Sequence, residues 1–138
     1  MKSLPFAEDV NFWKTGKSGA DTWIDRTKKQ IEILGGKVES EAFGMADGKA
    51  AFMIAFSISA DRFKIIWPVL PSERGDEKAA KIQAATMLYH YVKSVSLRAL
   101  VVGPRQAFFS HFLIEGKMAS ELSGQELINL SPKFLIDQ

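Results

Sequence analysis

No cysteine occurs in the 138 residues. That absence excludes disulfide frameworks, thiolate nucleophiles, iron–sulfur ligation and the common zinc fingers, leaving only oxygen and histidine for metal ligation. Long apolar runs are also missing: nothing approaches the ~18 residues that a membrane-spanning helix needs. The opening MKSLPFAEDVNFWKTGKSG carries Asp and Glu where a secretory signal would carry its apolar stretch, so a soluble protein of the cytoplasm is expected. An excess of one charge sign is lacking too, the formal net charge being +2. The cations are unevenly placed, however. Lys plus Arg against Asp plus Glu number 8 to 8 over residues 1–60, 8 to 4 over 61–105 and 2 to 4 over 106–138. The middle segment is the basic one.

What is present reads as one domain. A chain of this length buries roughly two thirds of the surface its unfolded form exposes, so no metal or disulfide staple is required. Residues 1–17 have no regular period and read as an arm, with Phe6, Phe12 and Trp13 to pin it to a body spanning 18–138. Gly16-Lys17-Ser18 resembles the end of a phosphate-binding P-loop, but Asn11 stands where the earlier glycine belongs and no apolar strand leads in, so that reading is rejected.

From Ser18 the pattern is helical. Ile24, Thr27, Ile31 and Leu34 form one stripe, Asp25 and Lys29 make an i,i+4 pair, Ser18 or Asp21 supplies the cap, and Gly35-Gly36 is the stop. Residues 37–44 alternate, and Asp47-Gly48 is a hairpin signal. In residues 50–59 Phe52, Ile54, Phe56 and Ile58 fall on one face, with Ala51, Met53, Ala55 and Ser57 on the other. After a turn at Ala60-Asp61, Phe63, Ile65, Trp67 and Val69 alternate with Arg62, Lys64, Ile66 and Pro68. A period of two sends alternate residues to opposite sides, so three antiparallel strands with one heavy face are expected, ended by Pro68 and Pro71.

Residues 76–102 contain neither Gly nor Pro and are rich in helix formers. At about 100° per residue, Ala80, Ala84, Met87, Leu88, Tyr91, Val92, Val95, Ala99 and Val102 gather on one arc and Gln83, Thr86, His90, Lys93 and Ser94 on the opposite one. Ile82, Tyr89 and Leu100 form a second apolar rib. The wide arc is the expected roof of the heavy sheet face. Gly103-Pro104 ends this helix and opens a short one through Phe108, Phe109, Phe112 and Leu113. Glu115-Gly116-Lys117 turns the chain, and Ser123-Gly124-Gln125-Glu126 has capping-box spacing for a brief helix over 125–130. The expected fold class is therefore α+β: an N-terminal helix, a three-stranded antiparallel sheet, a long helix packed on it and short C-terminal helices.

The residues from Thr22 to Glu121 resemble a family of small proteins encoded in phages and prophages whose function is uncharacterised. The resemblance lies in the helix before the three strands, the apolar run IIWPVLP, Leu88 and Val92-Lys93 of the long helix, Phe108-Phe109-Ser110-His111-Phe112, Glu115-Gly116-Lys117 and Glu121. It implies a phage origin and a bacterial host cell, and it transfers no catalytic residue.

Catalytic signals are weak. Ser110 and His111 are adjacent, and neighbours on a helix point about 100° apart, so they do not form a nucleophile–base pair with each other. No nucleophile-elbow glycines flank Ser110. His90 and His111 with Asp61, Glu115 or Glu121 lack metal-ligand spacing, and no paired carboxylates suggest magnesium. No catalytic residue, metal or cofactor is assigned. The remaining constellation is cationic: Arg62 and Lys64 on the light strand face, Arg74, Lys78 and Lys81 at the long helix start, and Lys93, Arg98 and Arg105 beyond. A light sheet face beside such cations would admit a phosphate backbone, so DNA or RNA contact by a non-enzymatic accessory protein is the expectation. The element order also resembles that of double-stranded-RNA-binding domains and, without its first helix, of phage annealing proteins, though Glu77 sits where the former want lysine. The alternative is a protein-interaction module without nucleic-acid binding, either modulating a host or phage protein or pairing as a homodimer through the Ile82/Tyr89/Leu100 rib or the Ala51/Met53/Ala55 face.

Overall fold

A computed structural model describes residues 5–46, 48–114 and 117–118 of the chain. Its elements run α1 (Ala20–Ile33), β1 (Gly36–Ala46), β2 (Lys49–Ile58), β3 (Asp61–Pro68), α2 (Glu77–Val102), α3 (Pro104–Ala107), β4 (Leu113–Ile114) and β5 (Lys117–Met118), with 3-10 turns at Ala7–Asp9 and Phe109–His111. The fold is α+β. The main sheet has strand order β1-β2-β3, antiparallel throughout.

The alternation in the strands decides the layers. Phe52, Ile54, Phe56 and Ile58 of β2 lie opposite Trp67, Ile65, Phe63 and Asp61 of β3, and the apolar members of this inner face join one core with Ile24 and Ile31 of α1 and Ala84, Leu88, Val92 and Ala99 of α2. Both helices therefore cover the sheet, and α1 also lies against α2, with Trp23 packed on Tyr89 at 5.3 Å between ring centroids. At the far end Phe108 closes the core, its ring 5.3 Å from Phe56 and 5.7 Å from Phe63.

The hinge between α1 and β1 depends on two glycines. Gly35 takes φ +81°, and a Cβ on Gly36 would stand 2.7 Å from Ile31 Cγ2 and 2.8 Å from the Ile31 carbonyl oxygen. Helix and strand thus approach more closely than any side chain permits.

Local details depart from the sequence expectations. Helix α1 begins at Ala20 behind Gly19, without a side-chain cap from Ser18 or Asp21. Asp25 pairs with Lys28 at 3.9 Å, and Lys28 reaches on to Glu41 of β1, because a tertiary carboxylate is within reach on that side. The β2–β3 turn is Ser59-Ala60, one residue earlier than expected, since Asp61 already pairs with Ile58. Leu113 is in a strand paired with Met118 instead of a helix; the chain leaves helical geometry at Phe112, which bridges to Phe63 on the β3 edge. The brief helix expected over 125–130 lies outside the described residues.

The largest correction concerns α2. Gln83 and Thr86, which periodicity places on the arc opposite the wide apolar one, are buried. The arm covers the first, as Gln83 Nε2 donates to the carbonyls of Ala7 (2.8 Å), Val10 (3.1 Å) and Asn11 (3.0 Å), while Thr86 Oγ1 donates to the Ile82 carbonyl of its own helix at 2.7 Å. Ile82 and Tyr89 are half-buried, so of the proposed second rib only Leu100 is exposed, together with Leu97 and Val101.

Candidate docking groove

The first turns of α2 are positioned by a chain of caps. Asp76 Oδ1 accepts the Ala79 N–H at 3.1 Å and Lys14 sits 3.0 Å from its other oxygen. Ser72 Oγ accepts the Asp76 N–H and donates to Glu8 at 2.6 Å, and Glu8 also accepts the N–H groups of Glu73 and Arg74. These donors, the Ser72 hydroxyl first, hold the Glu8 carboxyl down at about 2. The arm therefore anchors the loop joining β3 to α2.

That loop forms one wall of a groove of about 750 Å³. Among the described residues nothing covers the inner face of the β1–β2 hairpin at Phe43 and Met45. Phe43 and Met45 of β1, Ala50 of β2 and Val69, Leu70 and Pro71 after β3 make the apolar lining, with Lys49, Lys78, Lys81 and Glu77 around it. Phe43 is 43% exposed and Met45 73%. Lys81 Nζ stands 4.2 Å from the Phe43 ring centroid, a cation over an aromatic face. The size lies within the range of binding pockets and the composition, apolar with a few placed charges, is theirs too. A smaller recess of about 240 Å³ lies between arm and helix, lined by Phe12, Trp23, Asp76 and Ile82 among others.

The eight cations singled out from the sequence do not form one surface. Arg74 is in the loop beside the groove, and Lys78 and Lys81 line it. Arg62 and Lys64 point to the opposite, outer sheet face, where Arg62 pairs with Glu39 at 3.2 Å across β2 and Lys64 lies beside Ala55. Lys93 stands over the Tyr89 ring at 5.9 Å, and Arg98 Nη1 is 3.4 Å from the Gln106 carbonyl. Arg105 is engaged by Asp61 in a two-pronged pair, both bonds 2.8 Å. Sequence reasoning missed the groove itself. Its signal was present in Phe43 and Met45, two large apolar residues following the charged start of β1.

The histidines are apart from the groove and from each other's partners. His90 stacks on Phe12 at 4.7 Å. His111 Nε2 lies 2.6 Å from the Tyr91 hydroxyl, and its ring also hydrogen-bonds the Lys64 backbone. With the Lys64 carbonyl taking one ring N–H, the neutral ring accepts the Tyr91 O–H. Ser110 hydrogen-bonds the same Tyr91 oxygen, so serine and histidine are both tied to the phenol. Neither cavity is lined by these three residues. No cluster of three metal-ligating side chains occurs among the described residues, and none of their helices is long and apolar enough to cross a membrane.

Burial pushes the His111 pKa below its ordinary value, against the opposing bond to Lys64. The folded state therefore binds that proton less readily than the unfolded chain does. The His111 contribution to stability is complete above the unfolded value near 6.5 and is lost as pH falls from there towards the lowered folded value. Urea midpoints should accordingly be lower at pH 5.5 than at pH 7.5, and His111→Gln should flatten that difference; an unchanged slope would separate His111 from it. Glu8 contributes in a different window, between its ordinary carboxylate range and about 2, so the two are distinguishable.

Compared with protein-family models, with curated proteins and with solved structures, the chain finds no match in any of the three.

Proposed function

We propose that the protein is a non-enzymatic interaction module that docks an apolar, acid-bearing segment of another protein in the groove beside the β1–β2 hairpin. The observation that carries this reading is the composition of one cavity: an apolar floor from Phe43, Met45, Val69 and Leu70, ringed by Lys49, Lys78 and Lys81. Covering the floor supplies affinity at roughly 25 cal/mol per Å² of apolar surface, less the cost of ordering the partner. The lysines favour an acidic partner and speed its arrival. The resemblance to phage-encoded proteins supports a phage accessory factor acting on a host or phage protein.

Nucleic acid is the second reading, favoured by Arg74, Lys78 and Lys81 meeting at one end of the molecule beside the Phe43 ring. Single strands bind where cations flank an aromatic platform. One set of anisotropy titrations separates the two. Labelled acidic amphipathic peptides and DNA and RNA oligonucleotides are titrated at about 50 and about 200 mM salt. Peptide binding that weakens at least about tenfold in Lys78→Glu/Lys81→Glu and in Met45→Asp is expected, since each removes an attraction and adds an unpaired charge. Tight oligonucleotide binding with a steep salt slope would replace the first reading by the second, and retention of neither ligand would sink both.

A further inference from the structure

The groove is bordered by an edge strand of the sheet. β1 is an edge of the order β1-β2-β3, and among the described residues no strand pairs with its outer side. An unpaired edge presents a row of backbone N–H and C=O groups that can template another strand, and proteins usually guard it with charge, bulges or proline. The two halves of β1 differ in this respect. The first half has a register shift between Val38 and Ser40, and its carboxylates are in ion pairs, Glu39 with Arg62 and Glu41 with Lys28. The second half, Ala42-Phe43-Gly44-Met45-Ala46, carries no charge, no proline and an unbroken register with β2 from Ala42↔Met53 to Ala46↔Lys49.

The unguarded half is also the half that lines the groove. Phe43 and Met45 are two residues apart on the inner face, where Lys81 stands over Phe43. A strand laid along Ala42–Ala46 would turn alternate side chains to that same face, next to Phe43 and Met45 and within the field of the lysines.

We propose that the partner enters as an extended segment, adding a fourth strand to β1 at Ala42–Ala46 and turning apolar and acidic side chains toward the lysine-rimmed groove. This rests on the docking reading above and specifies the form of its ligand. Main-chain bonds supply affinity in such strand addition, and alternate side chains supply specificity. Charge selects the occupant: a second copy of this chain would bring Lys49, Lys78 and Lys81 of two molecules toward one another, whereas an acidic strand neutralises them.

The test uses the full chain and a capped heptapeptide, Thr-Val-Thr-Glu-Thr-Val-Thr, whose alternate positions turn two valines and a glutamate to one face. Two isomers are N-methylated on alternate residues, so that each loses the N–H groups of one strand edge. A helix-stapled peptide of the same composition is the control. Backbone amide exchange and anisotropy are read together. The expected result is slowed exchange within Ala42–Ala46 on peptide addition, with one methylated isomer binding at least about tenfold more weakly than the other. Equal binding of both isomers, or binding that leaves those amides unprotected, overturns strand addition. If the stapled helix alone binds, strand addition fails while the docking reading survives. If no peptide binds at millimolar concentration, both fail. Protection of the same amides by concentration-dependent dimerisation, seen by light scattering without peptide, overturns the assignment to an acidic partner in favour of a second copy.

Discussion

Phe63→Ala should lower the unfolding free energy by about 3–5 kcal/mol, the range for deleting a fully buried aromatic ring. Phe63 has no exposed surface. Its ring centroid lies 5.3 Å from Phe56, 5.7 Å from Phe108 and 5.6 Å from Phe112. The substitution removes the ring that holds sheet and C-terminal segment together, and three rigid neighbours cannot collapse fully into the space. Phe63→Leu keeps most of the volume and should cost about 1–2 kcal/mol. Urea denaturation of both variants measures the difference. A loss below about 1 kcal/mol for the alanine variant would mean that the four phenylalanines are not packed as described.

Asp61→Ala is expected to cost about 2–3 kcal/mol, below the usual figure for a fully buried pair because the Arg105 and Asp61 side chains retain 15% and 18% of their exposure. The two-pronged geometry joins the first residue of β3 to α3, 44 residues on. Removing the carboxylate leaves a guanidinium with little water around it. Asp61→Ala/Arg105→Met should therefore be less destabilised than the sum of the single variants by about 1 kcal/mol or more. Additive effects in the four-variant cycle would reduce the pair to an incidental surface contact. The same result bears on ligand binding, since an Arg105 so engaged is poorly placed to meet a phosphate.

Neither variant touches the groove, so both also serve as checks that peptide binding depends on the hairpin end rather than on general stability. Lys78→Glu and Lys81→Glu test the converse, both lining the groove at the start of α2.

Much of the architecture was legible because it depends on short periods. Alternation from Phe52 to Ile58 and from Phe63 to Trp67 needs only neighbouring positions to be read, and the same residues line the core. The absence of Gly and Pro through residues 77–102 made one long helix the natural reading, and Asp76 caps it as a short polar residue before an apolar run can. Gly35 and Gly36 marked the end of α1. The burial of Gln83 was illegible for the opposite reason. Periodicity compares a helix with itself, and the partners of Gln83 are in the arm, over 70 residues earlier in the chain. Ile82 and Tyr89 are half-buried for a reason of the same kind, Tyr89 lying against Trp23 of α1 and Ile82 lining the recess beside the arm.

By itself the sequence determined the layers, because which face of a strand or helix is apolar is a property of adjacent residues. It also determined that thiol chemistry is unavailable to these residues, since cysteine is absent. Only the tertiary structure decided which of the charged groups share a place. Eight cations that are contiguous in a basic segment part company when the chain folds: Arg62 and Lys64 go to one sheet face, Arg105 is drawn to Asp61, and Lys78 and Lys81 join Lys49 and two apolar residues of β1 around a groove. Charges separated along a chain come together or apart according to how strands and helices stack, and local pattern does not specify that stacking.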